Sequence, residues 1–365
     1  MTRKLRVGVV FGGRSGEHEI SLKSASSILA ALDRDKYEVT EIGIDRDGKW
    51  MLTGDPMNSL SSGAVDEDQG QAPAKTERLG LLSVRGDALP DDVSNLDIVF
   101  PVLHGPYGED GTIQGLLEIA GLPYVGAGVL GSAVGMDKAA MKALLKHAGL
   151  PVAPHLLVLR SDWQSRPEAA RIDAAREFGY PMFVKPANLG SSVGISKVHN
   201  AAEFHPAMEL AAKYDRRILV EQAIEDAREI ECSVLGNDRP EASVCGEVFP
   251  AGEFYDYESK YFDDRSRTVI PAEIPENLRD RIRSMAVEVF TALDICGMAR
   301  VDFLVRRSDD EIFVLEANTI PGFTQISMYA KLWEASGLSY GSLLDRLIEL
   351  GLERFRERSE MRVTR

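Results

Sequence analysis

EIFVLEANTIPG, residues Glu311 to Gly322, opens as a strand: apolar residues alternate until Pro321-Gly322 ends the run. A period of two puts Ile312, Val314, Glu316 and Asn318 on one face. Just upstream, MARVDFLV (Met298 to Val305) reads as a second strand, with Arg300, Asp302 and Leu304 on one face. The polar stretch Arg306-Arg307-Ser308-Asp309-Asp310 between them is turn-like. A hairpin centred on Asp309, with a loop of about three residues, sets Asp302 opposite Glu316 and Arg300 opposite Asn318. Opposed Cβ atoms lie about 4.5–5.5 Å apart, and two carboxylates there repel by about 3 kcal/mol at an effective dielectric of about 20. Strand pairing alone does not reward that arrangement. A hard divalent cation relieves it, and Asp, Glu and Asn oxygens are what Mg²⁺ takes beside substrate phosphates. The competing reading is a solvated hairpin face with incidental charges, and a one-residue slip in register undoes the pairing. Leu304 and Ile312 on that face argue against full exposure.

The rest of the composition sets bounds. A chain of 365 residues predicts two or three domains with an ample core. Hydrophobic residues at 44% and charged residues at 27% are ordinary for a globular protein. A net charge of −15 disfavours nucleic acid or an anionic membrane as partner. Cys232, Cys245 and Cys296 contain no close-spaced pair, so they form neither a disulfide framework nor a zinc pattern. The basic amino end runs into a short apolar stretch that breaks at Gly12-Gly13, which reads as a first strand and not a signal peptide. No apolar segment approaches the ~20 residues of a membrane span, and a reducing cytoplasm is expected.

Working outward, Leu5 to Phe11 followed by VFGGRSGEHEISL (Val10 to Leu22) is strand, Gly-rich turn and helix, the opening unit of an α/β sheet. Glu17 in that turn either caps the helix or meets a cationic group such as a substrate ammonium. The spacing is not G-x-G-x-x-G, which counts against a nicotinamide-dependent oxidoreductase. Residues 54–80, rich in Ser, Gly, Asp, Gln and Ala, predict a long loop or flexible insertion. HGPYGEDGT (His104 to Thr112) follows a buried-type strand as a binding loop, where His104 is either a ligand contact or a turn-stabilising group. Lys138 in a helix's first turn opposes the dipole, so either an anion lies nearby or the lysine is solvated. Lys185 interrupts the apolar strand PMFVKP, and an unpaired buried ammonium is costly. The loop PANLGSSVGISKV behind it presents Gly190, Ser191, Ser192 and Gly194 between two strands; with Lys185 ahead and a carboxylate pair downstream, phosphate cradling is the better reading. ILVEQAI (Ile218 to Ile224) predicts a strand whose end can pair with an adenine edge. FYDYESKYF (Phe254 to Phe262) is either an exposed aromatic loop or a lid that excludes water.

Taken in order, Lys138, VKPANLGSSVG, VEQAI, ARVDF and LEANTIPGFT resemble the ATP-grasp superfamily. VFGGRSGEHEISL, HGPYGEDGT, FYDYESKY and PGFTQISMY are similar to the D-alanine–D-alanine ligase family within it. The resemblance runs from about Leu5 to Leu350. It implies a multidomain α/β and α+β protein: an ATP-grasp fold preceded by an open parallel α/β, Rossmann-like domain. The units expected are residues 1–135, a central subdomain 136–220 with the phosphate loop, and a carboxy-terminal subdomain 221–365 with a lid at about 248–268.

The resemblance also implies roles. Lys138, Lys185, Ser191 and Ser192 contact ATP phosphates; Glu221, Gln222, Ala223 and Ile224 hold adenine, and Glu229 the ribose. Asp302, Glu316 and Asn318 carry two Mg²⁺, with Mn²⁺ as a substitute. Glu17 binds the first D-alanine ammonium and His104 lies at the substrate. Arg300 and the Gly322 amide stabilise the tetrahedral oxyanion, Lys260 and Ser327 anchor the second carboxylate, and Ser191 and Tyr261 link to Glu17 and close the lid. The implied reaction joins two D-alanines through an acyl phosphate for peptidoglycan precursors, in a cytoplasmic homodimer; the alternative is a D-alanine–D-lactate ligase or another ATP-grasp carboxylate–amine ligase. Tyr261 in the lid favours an amine nucleophile. Gln325 stands where such sequences more often carry a small residue, which bears on second-site selectivity.

Overall fold

The structure, a computed structural model, describes residues 3–52, 54–61, 95–190, 192–249 and 267–362. It opens with β1 (Leu5–Gly12), α1 (His18–Ala31), β2 (Tyr37–Ile44), β3 (Trp50–Met51), α2 (Pro56–Ser61), β4 (Ile98–Val102), α3 (Thr112–Ala120) and α4 (Val129–Met136). These strands make a sheet of order β3-β2-β1-β4, in which β1 runs parallel to both β2 and β4. β1 is apolar without alternation because it is covered on both faces. Val7, Val9 and Phe11 join Ala25 and Ile28 of α1, while Val10 joins Ile113 and Leu117 of α3. The order reverses between β1 and β4, so the loops leaving their carboxyl ends, 13–17 and 103–111, flank the crevice where ligands bind such sheets. The expected loop at 54–80 is corrected at its start: residues 56–61 are helical, with Pro56 buried, and 62–80 lie outside the described residues. Tyr124 forms an isolated parallel bridge to Val99 at the edge of this sheet.

The second unit holds α5 (Lys138–His147), β5 (His155–Leu159), α6 (Arg160–Ser165), α7 (Pro167–Glu177), β6 (Met182–Pro186), β7 (Ser196–Val198), α8 (Ala201–Ala211) and β8 (Arg217–Gln222). Its sheet is antiparallel, in the order β5-β8-β6-β7. Met182, Val184, Ile218 and Val220 on one face pack against Phe204, Ala207 and Met208 of α8. The Gly-Ser loop joins β6 to β7, as the sequence predicts.

The third unit comprises β9 (Ala227–Gly236), β10 (Glu241–Phe249), β11 (Arg267–Val269), α9 (Glu276–Ala292), β12 (Gly297–Arg306), β13 (Ile312–Asn318), α10 (Met328–Ala335) and α11 (Tyr340–Glu360). The sheet order is β11-β10-β9-β12-β13. One face, with Ile230, Cys232, Val234, Val301, Phe303 and Val305, is sealed by Leu278, Ile282, Val289 and Phe290 of α9. Its other face carries Glu229, Glu231, Arg300 and Asp302. The long helix α11 returns to the amino-terminal sheet, where Leu343, Leu344 and Leu347 share a core with Val7, Val9 and Ile28. Among the described residues, no helix is long and apolar enough to cross a membrane.

The hairpin shows both a success of alternation and its limit. Arg300 pairs with Asn318 and Asp302 with Glu316, as expected, but Phe303 pairs with Val314 and Val305 with Ile312. A β-bulge at Leu315 therefore offsets a turn of four residues, 307–310, closed by the Arg306 N–H donating to the Glu311 carbonyl at 2.9 Å. The even spacing on which the three-residue loop rested is corrected. The extra residue inverts the pleat, so Ile312 and Val314 enter the core with Ala317 instead of sharing a face with Glu316 and Asn318.

Candidate active site

Three units meet at a cavity of about 310 Å³. Glu17, His104 and Glu109 reach it from the first, Lys138 and Gly190 from the second, and Glu231, Arg300, Glu316, Asn318, Gly322 and Ser327 from the third. Glu17 occupies the N-cap position of α1, yet its side chain makes no capping bond there. The capping reading of Glu17 is therefore set aside. Its carboxylate lies where the chain gives it room: a Cβ on Gly105 would sit 2.6 Å from Oε2, and one on Gly190 3.1 Å. Gly105 also has φ +73°, a conformation that suits glycine. Gly105→Ala should cost about 1 kcal/mol of stability and displace Glu17, raising the KM for a ligand held by Glu17 more than that for one held on the Lys138 side of the cavity. Steady-state kinetics with each substrate varied in turn checks this, and equal shifts in both would refute it.

His104 is buried. Its Nδ1 donates to the Ile320 carbonyl at 3.0 Å and lies 3.9 Å from Glu109, while Nε2 is 3.2 Å from the Ser24 hydroxyl. Burial disfavours its cation, but the hydrogen bond and charge of Glu109, with the charge of Glu17, outweigh that and raise its pKa above the ordinary 6.5. A raised folded value means His104 contributes stability that is complete below pH 6.5 and is lost as pH rises through the higher folded value. His104→Gln should therefore flatten the stability profile on the alkaline side of pH 6.5. Denaturant unfolding at stepped pH tests it; an unaltered profile would remove this account. Ser24 also accepts from the Phe323 N–H at 3.2 Å, and Ser27 from the Gln325 N–H at 3.3 Å, so α1 holds the 320–327 loop against the first unit. Within that loop the Ser327 hydroxyl accepts from the Thr324 N–H at 3.0 Å.

Lys138 begins α5 behind Asp137, which caps the Ala140 N–H at 2.8 Å and pairs with Arg217 of β8. The lysine is buried, not solvated: it donates to the Leu189 carbonyl at 2.7 Å and lies 3.8 Å from Glu316. The β6–β7 loop is thereby tied to β13.

Arg300 lies among carboxylates. Its Nε is 2.7 Å from Asp302 and 2.9 Å from Glu231, and its second terminal nitrogen is 2.7 Å from the other Asp302 oxygen. Asn318 donates to Asp302 at 3.0 Å. Burial opposes the guanidinium charge, but Asp302 and Glu231 outweigh it and raise its pKa further. Among the described residues no group of three or more His, Cys, Asp or Glu is arranged to hold a metal. The Asp302, Glu316 and Asn318 set nonetheless supplies only hard oxygens, two from directly opposed carboxyl groups, and that chemistry fits Mg²⁺.

Lys185, Glu221, Gln222, Ala223, Ile224 and Glu229 stand beyond this cavity. Glu221, 2% exposed, holds Lys185 at 2.6 Å on one oxygen and Lys142 at 2.5 Å on the other. Burial would raise the Glu221 pKa, but the two ammonium groups win and pull it to about 2. The Gln222 N–H bonds to Pro154 and the Ala223 N–H to Pro181. Glu229 is half-buried on the face that carries Glu231, and Ser192 has φ 57° in the β6–β7 loop. Ser191, Lys260 and Tyr261 lie outside the described residues.

Sequence reading missed three residues here. Lys142 had a signal, standing four positions after Lys138 and so on the same helical face. Glu231 had one too, two positions after Glu229 on a strand. Glu109 had none beyond its place in the glycine loop.

The family profile described as D-ala D-ala ligase N-terminus matches residues 6–127, and that described as D-ala D-ala ligase C-terminus matches 144–349. The chain belongs to the D-alanine–D-alanine ligase family. A D-alanine–D-alanine ligase of Natranaerobius thermophilus is 49% identical over 98% of this chain and 97% of its own. One from Solibacter usitatus is 49% identical over 99% of this chain and 100% of its own. Among solved structures, the VanG D-Ala:D-Ser ligase of Enterococcus faecalis superposes with a TM-score of 0.82 at 35% identity, covering 96% of this chain and 100% of that one. The D-alanine–D-alanine ligase of Coxiella burnetii does so with a TM-score of 0.80 at 37% identity, covering 98% and 97%. These likenesses bear out the ATP-grasp fold with its preceding parallel α/β unit.

Proposed function

We propose that this member of the family joins two D-alanines at the expense of ATP, releasing ADP and phosphate, to supply a peptidoglycan precursor. The observation that carries it is the convergence of Glu17, Lys138, Arg300, Glu316 and Gly322 on one cavity. Glu17 takes the first ammonium and directs its carboxylate toward the nucleotide. That carboxylate attacks the γ-phosphorus, the bond to ADP breaks, and D-alanyl phosphate forms. The second amine attacks the acyl carbon, loses a proton, and phosphate leaves with its electron pair. Lys138 and Lys185 balance charge on the phosphates. Arg300 and the Gly322 N–H face the carbonyl oxygen as it becomes an oxyanion. Asp302, Glu316 and Asn318 would hold Mg²⁺, or Mn²⁺ in its place, which when bound supplies positive charge beside the transferring phosphoryl group. Ser327 and Lys260 anchor the second carboxylate; Ser191 and Tyr261 act with Glu17 to keep water away. Glu221 to Ile224 and Glu229 cradle adenine and ribose. The working units are 1–135, 136–220 and 221–365, in a cytoplasmic homodimer.

The likeness to a D-Ala:D-Ser ligase makes the second substrate the point to test. The protein is incubated with ATP and D-alanine, D-serine and D-lactate together, and ADP, phosphate and products are weighed. ADP and D-alanyl-D-alanine in equal amounts are expected. A dominant mixed product would reassign the second site, and phosphate release indifferent to D-alanine would remove the ligase reading.

A further inference from the structure

Glu231 belongs to no role given above. It lies on β9 directly opposite Asp302, and Asp302 lies directly opposite Glu316 on β13, so three carboxylates form one row across three strands. Arg300 stands two residues before Asp302 on the same face and reaches Glu231 along the diagonal. Its fork takes both oxygens of Asp302, at 2.7 Å each, while the Glu231 carboxylate lies 2.9 Å from Nε as an ion pair. A hard cation binds a carboxylate through these same oxygens. Guanidinium and cation therefore compete for Asp302. A buried guanidinium that gives up its partner is left uncompensated, which is strongly unfavourable. Glu231 is buried, faces the cavity and already touches Nε, so it is the carboxylate that Arg300 can retain.

We propose that Glu231 is a positioning residue: it keeps Arg300 paired and aimed while Asp302 is given over to the divalent cation. This rests on the metal reading of Asp302 made under the proposed function. Without Glu231, Arg300 stays on Asp302 and opposes the cation directly. A residue serving only to stabilise the sheet would alter unfolding without altering the cation requirement.

The test is binding of a non-hydrolysable ATP analogue to the full chain, by calorimetry, as Mg²⁺ is varied. Glu231→Gln keeps the shape and removes the charge. It should raise the Mg²⁺ concentration for half-maximal binding by about tenfold, the usual scale for groups behind metal ligands. At saturating Mg²⁺ it should still lower kcat, with little change in the KM for ATP. Glu231→Asp, which keeps the charge but draws it back, should fall between, and it carries the test if the Gln variant does not fold. A Gln variant with lowered Tm and unchanged Mg²⁺ dependence overturns the proposal while leaving the metal reading standing. An unsubstituted protein whose nucleotide binding ignores Mg²⁺ overturns both.

Discussion

Arg300→Met is expected to lower the ligation rate by about 10²- to 10³-fold and to destabilise the protein by about 3–5 kcal/mol at neutral pH. The first effect follows from the role proposed for Arg300, that of a donor to the developing oxyanion. The second follows from what stays behind. Asp302, Glu231 and Glu316 lie in one row, and Lys138, at 3.8 Å from Glu316, is a weaker neighbour that remains. Carboxylates left buried without their guanidinium are uncompensated charges, which is where the stability deficit arises. Arg300→Lys restores charge but not the planar fork that spans both Asp302 oxygens and Glu231. It should regain part of the stability and little of the rate. Urea unfolding at neutral pH, paired with single-turnover rates, separates the two. A Met variant with full stability at neutral pH would show that the row is not held together by this cation.

The second large effect is an asymmetry within the buried triad of Lys142, Glu221 and Lys185. Glu221→Ala leaves two ammonium groups facing each other out of water and should cost about 3–5 kcal/mol. Lys142→Met removes the surplus cation, whose pKa is already lowered by burial despite Glu221, and leaves Lys185 with Glu221 as a balanced pair. Its cost should stay within about 1 kcal/mol, since a buried charge replaced by an apolar side chain of similar length is often neutral. For the unsubstituted protein the sign runs one way. A Glu221 carboxyl depressed from 4.5 to about 2 contributes stability that is complete above pH 4.5 and lost as pH falls toward 2. The Glu221→Ala variant should lose this acid-side dependence and instead gain stability as pH rises and Lys142, already lowered by burial, sheds its proton. Equal costs for the two substitutions would sink the charge argument and leave packing as the cause.

Much of the site was legible because strand alternation is local. The pairs Arg300–Asn318 and Asp302–Glu316 follow from two short runs and a turn, and they form as expected. The bulge at Leu315 was not legible, because a four-residue turn plus one extra residue gives the same pairing at the site as a shorter turn without it. The burial of Lys185 was foreseeable from an apolar strand; its partner was not. Glu221 lies 36 positions away and reaches it only because β6 and β8 are neighbours in the sheet.

The amino-acid sequence by itself determined the strands and helices, the alternating faces that choose which carboxyl groups meet, and the order of motifs that marks the family. Periodicity reports one element's own faces, and so it was enough for these. The tertiary structure alone decided that α1 fastens the 320–327 loop through Ser24, that His104 bonds the Ile320 carbonyl 216 positions away, and that Glu231 shares Arg300 with Asp302. Those contacts depend on how separate sheets dock, and docking is set by the summed burial of many side chains, which no single stretch of sequence encodes.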